Sequence, residues 1–245
     1  MSEPNNRFPQ ASARVLNLLR RTGTCTVSNA IETFNVRMRN EGFMQDESRC
    51  QFPTLPPVTG YAVTGRIRTS APPIANLCYY HRPDWWEYVA GFPSPKIIVL
   101  HDMDRTPGAG AFFGEVHSRI SRALGCVAYV TNGAIRDAPA LAASQFQCFS
   151  SGLSVSHSYA HIIDFGEPVE IGGLKVSPGD LLHGDAHGVQ TIPPSIAELL
   201  PEAIQAIVDR EAELISFCES PDFTLEKLTA ILNREINVCQ PPKRR

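Results

Sequence analysis

Apolar residues recur along this chain with two different spacings, which predict the strands and helices of a mixed α/β fold. Residues 97–100 and 126–130 are short, continuously apolar runs, and runs of this kind form buried strands. Residues 111–124 carry an apolar side chain at every fourth position, which is typical of a helix with one face against a sheet. Strand, helix and strand in this order predict a right-handed βαβ unit with parallel strands. The predicted stripe of the helix consists of Phe112, Val116, Ile120 and Leu124.

The N-terminal part of the chain predicts two helices and a strand. The first helix ends at Gly23, and the second takes Thr26 or Ser28 as its N-cap. Residues 40–58 are polar and contain prolines, so we expect an irregular excursion there. Residues 61–68 alternate between apolar and polar side chains, as a half-buried strand does.

The C-terminal part predicts hairpins followed by helices. Glycine-containing turns divide residues 168–176 and residues 181–192 into two hairpins. Residues 201–218 form an amphipathic helix, and a short helix covers residues 225–232. No break in composition divides the chain, so we predict one α/β domain over residues 1–245. The expected apolar face of the long helix contains Ile204, Ile207, Val208 and Ile215.

The segment from Ser70 to Pro95 contains many of the aromatic residues, among them Trp85 and Trp86. One interpretation is a short helix that covers a surface or a subunit contact. The alternative is a lid over a substrate. We favour the first, because aromatic surfaces between prolines are commonly structural.

Composition and charge restrict the class of protein. Of the 245 residues, 43% are apolar and 19% charged, with a net charge of −3, as in ordinary soluble proteins. A pI near 6.2 argues against broad nucleic-acid binding, and the basic residues 243–245 are too few to reverse this. The seven cysteines show no CxxC spacing, so neither a disulfide framework nor a zinc site is expected. We see no signal segment and no apolar run of the ~20 residues that cross a membrane, and expect a cytoplasmic protein.

The predicted βαβ unit brings three segments to the same edge of its sheet. In such a unit the loop after the first strand, the start of the helix and the loop after the second strand lie together. We therefore expect residues 101–110, Gly114-Glu115 and residues 132–137 to converge. Open α/β sheets commonly bind their ligands at this edge.

The start of the predicted helix is suited to a small anion. Residues 108–115 include three glycines and two alanines close to backbone N–H groups that have no partner within the helix. The segment lacks the lysine of a P-loop and the GxGxxG pattern of a dinucleotide-binding fold. A small carboxylate ligand is therefore favoured over a nucleotide.

Arg136 and Asp137 follow the second predicted strand as a cation and a carboxylate side by side. A guanidinium matches a carboxylate or a developing enolate oxygen, and one carboxylate with waters is a common site for Mg²⁺. The alternative is a helix N-cap with a surface ion pair. Convergence with the helix start favours the chemical interpretation.

The histidines give weaker evidence of function. His183 and His187 are four residues apart, but the glycines between and after them indicate a turn rather than a helix with a zinc pair. We interpret them, with Asp180 and Asp185, as structural residues of hairpins. No GxSxG motif supports a Ser-His-Asp triad.

The spacing of the candidate residues resembles that of one known family, the RraA-like family. Twenty residues separate Glu115 from Arg136, and the resemblance extends over about residues 10–217, with residues 218–245 as a helical tail. The family includes class II 4-hydroxy-4-methyl-2-oxoglutarate and 4-carboxy-4-hydroxy-2-oxoadipate aldolases and regulators of ribonuclease E. The matching segments are Gly114-Glu115, Arg136-Asp137, Pro178-Gly179-Asp180, Asp185–Val189 and Ile192-Pro193.

The resemblance implies a swivelling β/β/α-type sandwich that assembles as a homotrimer or homohexamer, with sites near subunit interfaces. It implies that Arg136 contacts the substrate and that Asp137 binds Mg²⁺ or Mn²⁺. A neighbouring subunit's acidic residue completes such sites, and Glu211 or Glu213 is the candidate here. Backbone amides of Gly114, Glu115, Val116 and His117 would bind the pyruvate carboxylate.

This chain departs from the family pattern in two places. Many of the aldolases have aspartate where this chain has Glu115, and the segments 40–58 and 70–95 are longer and more aromatic than in a minimal member. Both departures bear on the identity of the substrate.

The expected activity is metal-dependent cleavage of a C–C bond in a pyruvate-like 2-oxo acid, by retro-aldol reaction or by decarboxylation of oxaloacetate. Arg136, Asp137 and Glu115 are the expected catalytic residues, with a water held by the metal or Glu115 as the base. The alternative is a non-catalytic regulator that binds an RNA-processing enzyme. A quinone methyltransferase is disfavoured, because no glycine-rich nucleotide loop follows a first strand.

Overall fold

The computed structural model describes residues 8–45, 48–74 and 83–238, with side chains up to residue 232. The basic C-terminal residues and residues 75–82 of the aromatic segment lie outside these ranges. The helices are α1 Ala13–Leu19, α2 Thr24–Glu32, α3 Pro83–Ala90, α4 Glu115–Ala123, α5 Ala138–Ala143, α6 Leu200–Cys218 and α7 Leu225–Val238, with a 3-10 helix at Pro194–Leu199. The strands are β1 Arg49–Cys50, β2 Val58–Arg68, β3 Lys96–Asp102, β4 Ala111–Phe113, β5 Cys126–Thr131, β6 Ala134–Ile135, β7 Gln147–Ser150, β8 Gly152–Leu153, β9 His161–Phe165, β10 Val169–Ile171, β11 Leu174–Val176, β12 Leu181–Asp185 and β13 Gly188–Ile192.

Eight of the described strands form one mixed sheet. Its order is β1-β7-β5-β3-β2-β12-β13, and β9 also pairs with β2. Strands β2, β3, β5 and β7 are parallel to their neighbours in this group, and α4 lies in the chain between β3 and β5. The predicted βαβ unit with parallel strands is therefore confirmed.

The sheet separates two apolar layers, which explains why its central strands are apolar at consecutive positions. Ile98 and Leu100 face a layer with the aromatic side chains around α3, α4 and α5. Ile97 and Val99 face the opposite layer, which includes the hairpin β10–β11. Successive residues of a strand point to opposite faces, so each layer receives alternate side chains of β3. The predicted α/β sandwich is confirmed.

The two predicted hairpins are confirmed, since β10 pairs with β11 and β12 pairs with β13, both antiparallel. The boundaries of other elements differ from the prediction. Helix α2 begins at Thr24 with Gly23 as N-cap, rather than after Thr26 or Ser28, because a carboxylate from a distant strand caps it. Strand β2 begins at Val58 and α7 continues to Val238.

The predicted apolar face of the long helix is correct only for its first part. Ile204 is buried and Ile207 packs against the same cluster. Val208 and Ile215 are exposed, because α6 buries side chains only over its N-terminal residues. Within the described ranges, no helix combines the length and hydropathy needed to cross a bilayer.

The helix predicted over residues 111–124 is wrong in its extent and in its orientation. Residues 111–113 form β4, and α4 begins only at Glu115 because the chain turns at Gly114. The buried residues of α4 are His117, Ser118 and Ser121, and the small serines allow this polar face to pack inwards. Val116 is 70% exposed and Ile120 also reaches solvent, so the apolar stripe faces outwards.

Candidate functional site

A small parallel sheet brings the candidate residues together. Strand β6 pairs in parallel with β4 on one side and with β8 on the other. Gly114-Glu115 follows β4 directly and Arg136-Asp137 follows β6 directly, so both pairs emerge from the carboxyl ends of adjacent strands. The backbone N–H of Arg136 donates to the carbonyl oxygen of Phe113 over 3.0 Å and fixes this register. The predicted convergence of these two pairs is confirmed.

The third segment that was predicted to converge does not line the same pocket. The loop after β3 closes on itself, since Gly108 N–H donates to Asp102 Oδ2 over 2.8 Å. Burial raises the pKa of Asp102, although hydrogen bonds from Gly108 and Asp104 oppose the shift. The loop thus has a structural role next to the site rather than a place in its wall.

The carboxylate of Asp137, which lies just after β6, is at the N-terminus of α4. The N-cap residue is Gly114, which has no side chain to cap the helix, and Asp137 Oδ2 accepts the Glu115 N–H over 3.1 Å instead. A Cβ atom on residue 114 would lie 2.7 Å from Asp137 Oδ2 and 2.8 Å from Arg136 Cγ. Glycine is therefore required for this close approach, and not for any unusual backbone angle.

Arg136 and Asp137 form an ion pair that is open to solvent. Arg136 Nε lies 3.3 Å from Asp137 Oδ1, and the Asp137 side chain is 38% exposed. The hydrogen bond from Glu115 N–H is the main cause that lowers the pKa of Asp137; burial opposes it, and Arg136 lowers it further. The carboxylate is therefore ionised at neutral pH.

The backbone of Asp137 directs its side chain towards α4. Its φ of 57° is in the left-handed region, which aspartate tolerates better than most residues. It is the N-cap of α5, yet its side chain makes no capping hydrogen bond to that helix. The surface ion pair that the alternative interpretation predicted is therefore present. The side chain of Asp137, however, caps α4 and not α5.

One pocket of about 300 Å³ contains all the residues that were predicted to bind substrate or metal. Three further wall residues were not among the predicted site residues, although one of them, Trp86, belongs to the segment for which a substrate lid was the alternative interpretation. These are Trp86, Ile120 and His157. The predicted residues in the wall are Gly114, Glu115, Val116, His117, Arg136 and Asp137.

Aromatic contacts shape one side of this pocket. The ring of His117 lies 4.8 Å from that of Phe112 and 5.9 Å from that of Trp86, and it is largely buried. Trp86 belongs to α3, so the predicted short helix exists and also contributes to the pocket wall. On the polar side, His157 Nδ1 is 2.8 Å from the carbonyl oxygen of Ala111.

The other histidines and aspartates have the structural roles that were predicted for them. His183 is fully buried, with Nε2 2.9 Å from the carbonyl oxygen of Leu19. Asp185 accepts hydrogen bonds from Thr24 and His187, and Asp180 accepts one from the backbone of Ser177. None of them lines the candidate pocket.

The acidic residues suggested on the long helix are not in the pocket of their own chain. Glu211 Oε1 accepts a hydrogen bond from Asn29 Nδ2 over 3.2 Å. Glu213 is exposed on α6. A contribution by either residue to a neighbouring subunit's site remains a prediction.

The donor groups suit a hard divalent cation only with help from water. Among the described residues, no three His, Cys, Asp or Glu side chains lie together in a way that would hold a metal. Asp137 offers ionised oxygens at the pocket surface, and Mg²⁺ commonly uses one or two carboxylates with several waters. The residues present therefore fit a Mg²⁺ or Mn²⁺ site based on Asp137.

Comparison with curated proteins finds a relative that matches about half of the chain. A protein of Halalkalibacterium halodurans named "Putative 4-hydroxy-4-methyl-2-oxoglutarate aldolase" is 36% identical over 121 residues. These residues are 49% of this chain and 57% of that protein, so the chain matches little more than half the length of this relative.

Solved structures share the fold over most of the chain. An uncharacterized protein from Pseudomonas syringae pv. tomato str. DC3000 has a TM-score of 0.71 and 21% identity, over 94% of this chain and 99% of that one. Streptomyces coelicolor RraAS2, described as an unusual member of the RNase ES inhibitor RraA protein family, has a TM-score of 0.63 and 19% identity, over 86% and 98%. Residues 24–190 match the model of the RraA-like family, described as aldolase/RraA. The chain belongs to the RraA-like family.

Proposed function

We propose that this protein is a divalent-metal-dependent carbon–carbon lyase that acts on a pyruvate-like 2-oxo acid in the cytoplasm. The observation that carries the proposal is the junction of a helix N-terminus, a guanidinium and an ionised carboxylate in one pocket of about 300 Å³. A 2-oxo acid presents a carboxylate and a keto oxygen, and this set of groups matches both.

The N-terminus of α4 is the proposed site for the substrate carboxylate. The Glu115 N–H already binds a carboxylate oxygen, that of Asp137, which supports the use of this helix end for such a group. The first N–H groups of a helix have no partner within it, so those of Gly114, Glu115, Val116 and His117 are the proposed donors, with the Glu115 N–H shared between the substrate and Asp137.

Arg136 and Asp137 have separate proposed roles. The Arg136 guanidinium binds the oxygen on which negative charge develops when the C–C bond breaks. Asp137 holds the divalent ion, which when bound supplies Lewis-acid polarisation of the keto group. Because Arg136 and Asp137 are adjacent in the chain, their positions depend on the same short strand β6.

Proton transfer distinguishes the two reactions that this site would support. In retro-aldol cleavage the C4 hydroxyl loses its proton to a base, the C3–C4 electron pair forms the enolate of pyruvate, and a proton then adds to C3. A water held by the metal or Glu115 is the proposed base, and the Glu115 carboxylate also pairs with Arg119 at 3.3 Å. Decarboxylation of oxaloacetate releases CO₂ to give the same enolate and requires no such base.

We further propose that the site is completed in a homotrimer or homohexamer. Exposed apolar side chains on and after β8, the strand that pairs with β6, would be covered by another subunit; these are Leu153 and Val155. Glu211 or Glu213 of that subunit is the proposed additional acid.

Release of pyruvate from oxaloacetate tests the proposal. We expect turnover by the purified full chain with Mg²⁺ or Mn²⁺, and its loss with EDTA. Asp137→Ala should abolish the metal-dependent rate, whereas Asp209→Ala, an exposed aspartate outside the pocket, should retain it. Unchanged turnover in folded Asp137→Ala would contradict the assignment. Absence of turnover in the wild type with every 2-oxo acid would instead favour the alternative, a regulator that binds an RNA-processing enzyme.

A further inference from the structure

We propose that one wall of the pocket selects 2-oxo acids whose C4 substituent is uncharged and apolar, such as an aryl group, over those that carry a second carboxylate there. This inference rests on the proposed function and specifies its substrate class. The wall consists of Trp86, Val116 and Ile120 and is called the apolar wall below.

The apolar wall lies beside the polar groups rather than among them. Val116 and Ile120 are four residues apart on α4 and therefore share one face of that helix. Both side chains are accessible, and both line the same pocket as Arg136 and Asp137. A substrate whose carboxylate binds at the start of α4 therefore has its distal part next to apolar side chains.

Trp86 is held in place on this wall by a ring contact of its own and by the anchoring of its helix α3. Its indole stacks on the ring of His117, with centroids 5.9 Å apart and planes 30° apart. Its neighbour Trp85 is buried and contacts the ring of Phe165 at 5.7 Å, which anchors α3 in the core. Rigid aromatic surfaces favour flat apolar groups and lose little entropy on binding.

The charges around the pocket disfavour a second carboxylate on the substrate. Among the described wall residues, the permanently charged cation is Arg136, whereas Glu115 and Asp137 are both acidic. Arg136 already pairs with Asp137. Arg119, on the same helix as Val116 and Ile120, already pairs with Glu115. A carboxylate next to the apolar wall would therefore lose hydration without gaining an unpaired cation, and this loss is costly.

The two histidines of the pocket do not supply that cation at the apolar wall. The His117 ring is packed between Phe112 and Trp86 and is largely buried. His157 lies on the Asp137 side of the pocket, where its Nδ1 is 2.8 Å from the Ala111 carbonyl oxygen.

The size of the pocket agrees with a substituent of moderate bulk. Its volume of about 300 Å³ is at the lower limit of the roughly 300–1,000 Å³ that is usual for ligand pockets. Such a space accommodates a pyruvoyl unit with one ring-sized group.

The test compares kcat/KM for C–C cleavage of two substrates. 4-Hydroxy-2-oxo-4-phenylbutanoate yields one pyruvate and benzaldehyde, and 4-hydroxy-4-methyl-2-oxoglutarate yields two pyruvates, so the rate is expressed per substrate cleaved. We expect the phenyl compound to be preferred by about 10-fold or more. Trp86→Ala should lower this preference about 10-fold, and Val116→Arg, which adds a cation at an exposed position of the wall, should shift it towards the dicarboxylate. Met38→Ala, an exposed apolar residue outside the pocket, is the matched control and should leave the preference unchanged.

Preference for the dicarboxylate by the wild type, or an unchanged ratio in both wall variants, would overturn the inference. Because Val116 is exposed, Val116→Arg remains informative if Trp86→Ala fails to fold. Assays with oxaloacetate distinguish a failure of the proposed selectivity from a failure of the proposed function. Pyruvate from oxaloacetate together with a preference for the dicarboxylate rejects only the selectivity, whereas no pyruvate from any of the three compounds rejects the proposed function as well.

Discussion

Helices α2 and α4 begin in the same way but in different surroundings. Each has a glycine as N-cap, and each receives the carboxylate of an aspartate that is distant in sequence. Asp185 Oδ2 accepts the Thr24 N–H at the start of α2 over 2.8 Å, and Asp137 Oδ2 accepts the Glu115 N–H at the start of α4 over 3.1 Å. In both cases the carboxylate satisfies a donor that has no partner within the helix.

The difference lies in what else binds the two carboxylates. Asp185 is 7% exposed and also accepts hydrogen bonds from the Thr24 hydroxyl over 2.6 Å and from the His187 backbone N–H over 2.8 Å. Asp137 is partly exposed, lies beside Arg136 and faces a pocket. The same local chemistry therefore stabilises the fold where it is enclosed, and is available to a ligand where it is open.

The largest expected effect comes from adding one methyl group to the N-cap of α4. Gly114→Ala places Cβ against Asp137 and Arg136, so we expect kcat/KM for pyruvate release to fall about 100-fold, equivalent to about 2.7 kcal/mol. Gly23→Ala is the matched control, because its Cβ would lie 3.4 Å from Asp185 Oδ2, an ordinary contact. Equal activities of the two variants would show that the approach at Gly114 has no bearing on catalysis.

Loss of the enclosed carboxylate should affect stability rather than turnover. Asp185→Asn leaves the buried donors of Thr24 and His187 with fewer acceptors. We therefore expect the free energy of unfolding, measured in urea, to fall by about 2–3 kcal/mol. The folded variant should release pyruvate at the wild-type rate. A variant with full stability and reduced turnover would reverse the roles that we assign to the two aspartates.

The pH dependence of stability should follow the enclosed carboxylate. Burial opposes ionisation of Asp185, but the hydrogen bonds from Thr24 and His187 outweigh it and lower the pKa. A lowered folded-state pKa gives stability that is present above the unfolded value of about 3.9 and is lost as the pH falls through the folded-state pKa. The difference in unfolding free energy between wild type and Asp185→Asn should therefore shrink between about pH 5 and pH 3. A constant difference would contradict this cause.

The smallest expected effect concerns the ion pair on the surface of α4. Arg119 and Glu115 are both well exposed, at an Nη2 to Oε1 distance of 3.3 Å. Arg119→Ala should change the free energy of unfolding by less than about 0.5 kcal/mol. A larger loss in thermal or urea unfolding would show that Glu115 has a structural role at the start of α4.

The central strands and the meeting of the candidate residues were predictable from sequence. Continuous apolar runs identify strands that are buried on both faces, and the topology of a βαβ unit determines which ends meet. The prediction placed Gly114-Glu115 next to Arg136-Asp137 for this reason. It missed the small sheet of β4, β6 and β8, whose strands of two or three residues are too short to show a period.

Other features depend on contacts that a local pattern does not contain. Phe112 and Val116 are four residues apart, as on a helix, but one belongs to a strand and the other faces the pocket. Trp86 precedes the other wall residues in the chain and His157 follows them, so neither is close to the site in sequence. The carboxylate that caps α2 comes from β12, which explains why the predicted start of that helix was wrong.

The neighbouring tryptophans of α3 provide an intrinsic optical reporter. They are the two tryptophans of the chain: Trp85 is sealed in the core, and Trp86 is in the pocket wall. Emission from Trp86 responds to whatever enters the pocket, whereas emission from Trp85 responds to the loss of the core. Occupancy and unfolding of the unlabelled protein can therefore be followed in a single fluorescence titration, with Trp86→Phe isolating the buried signal.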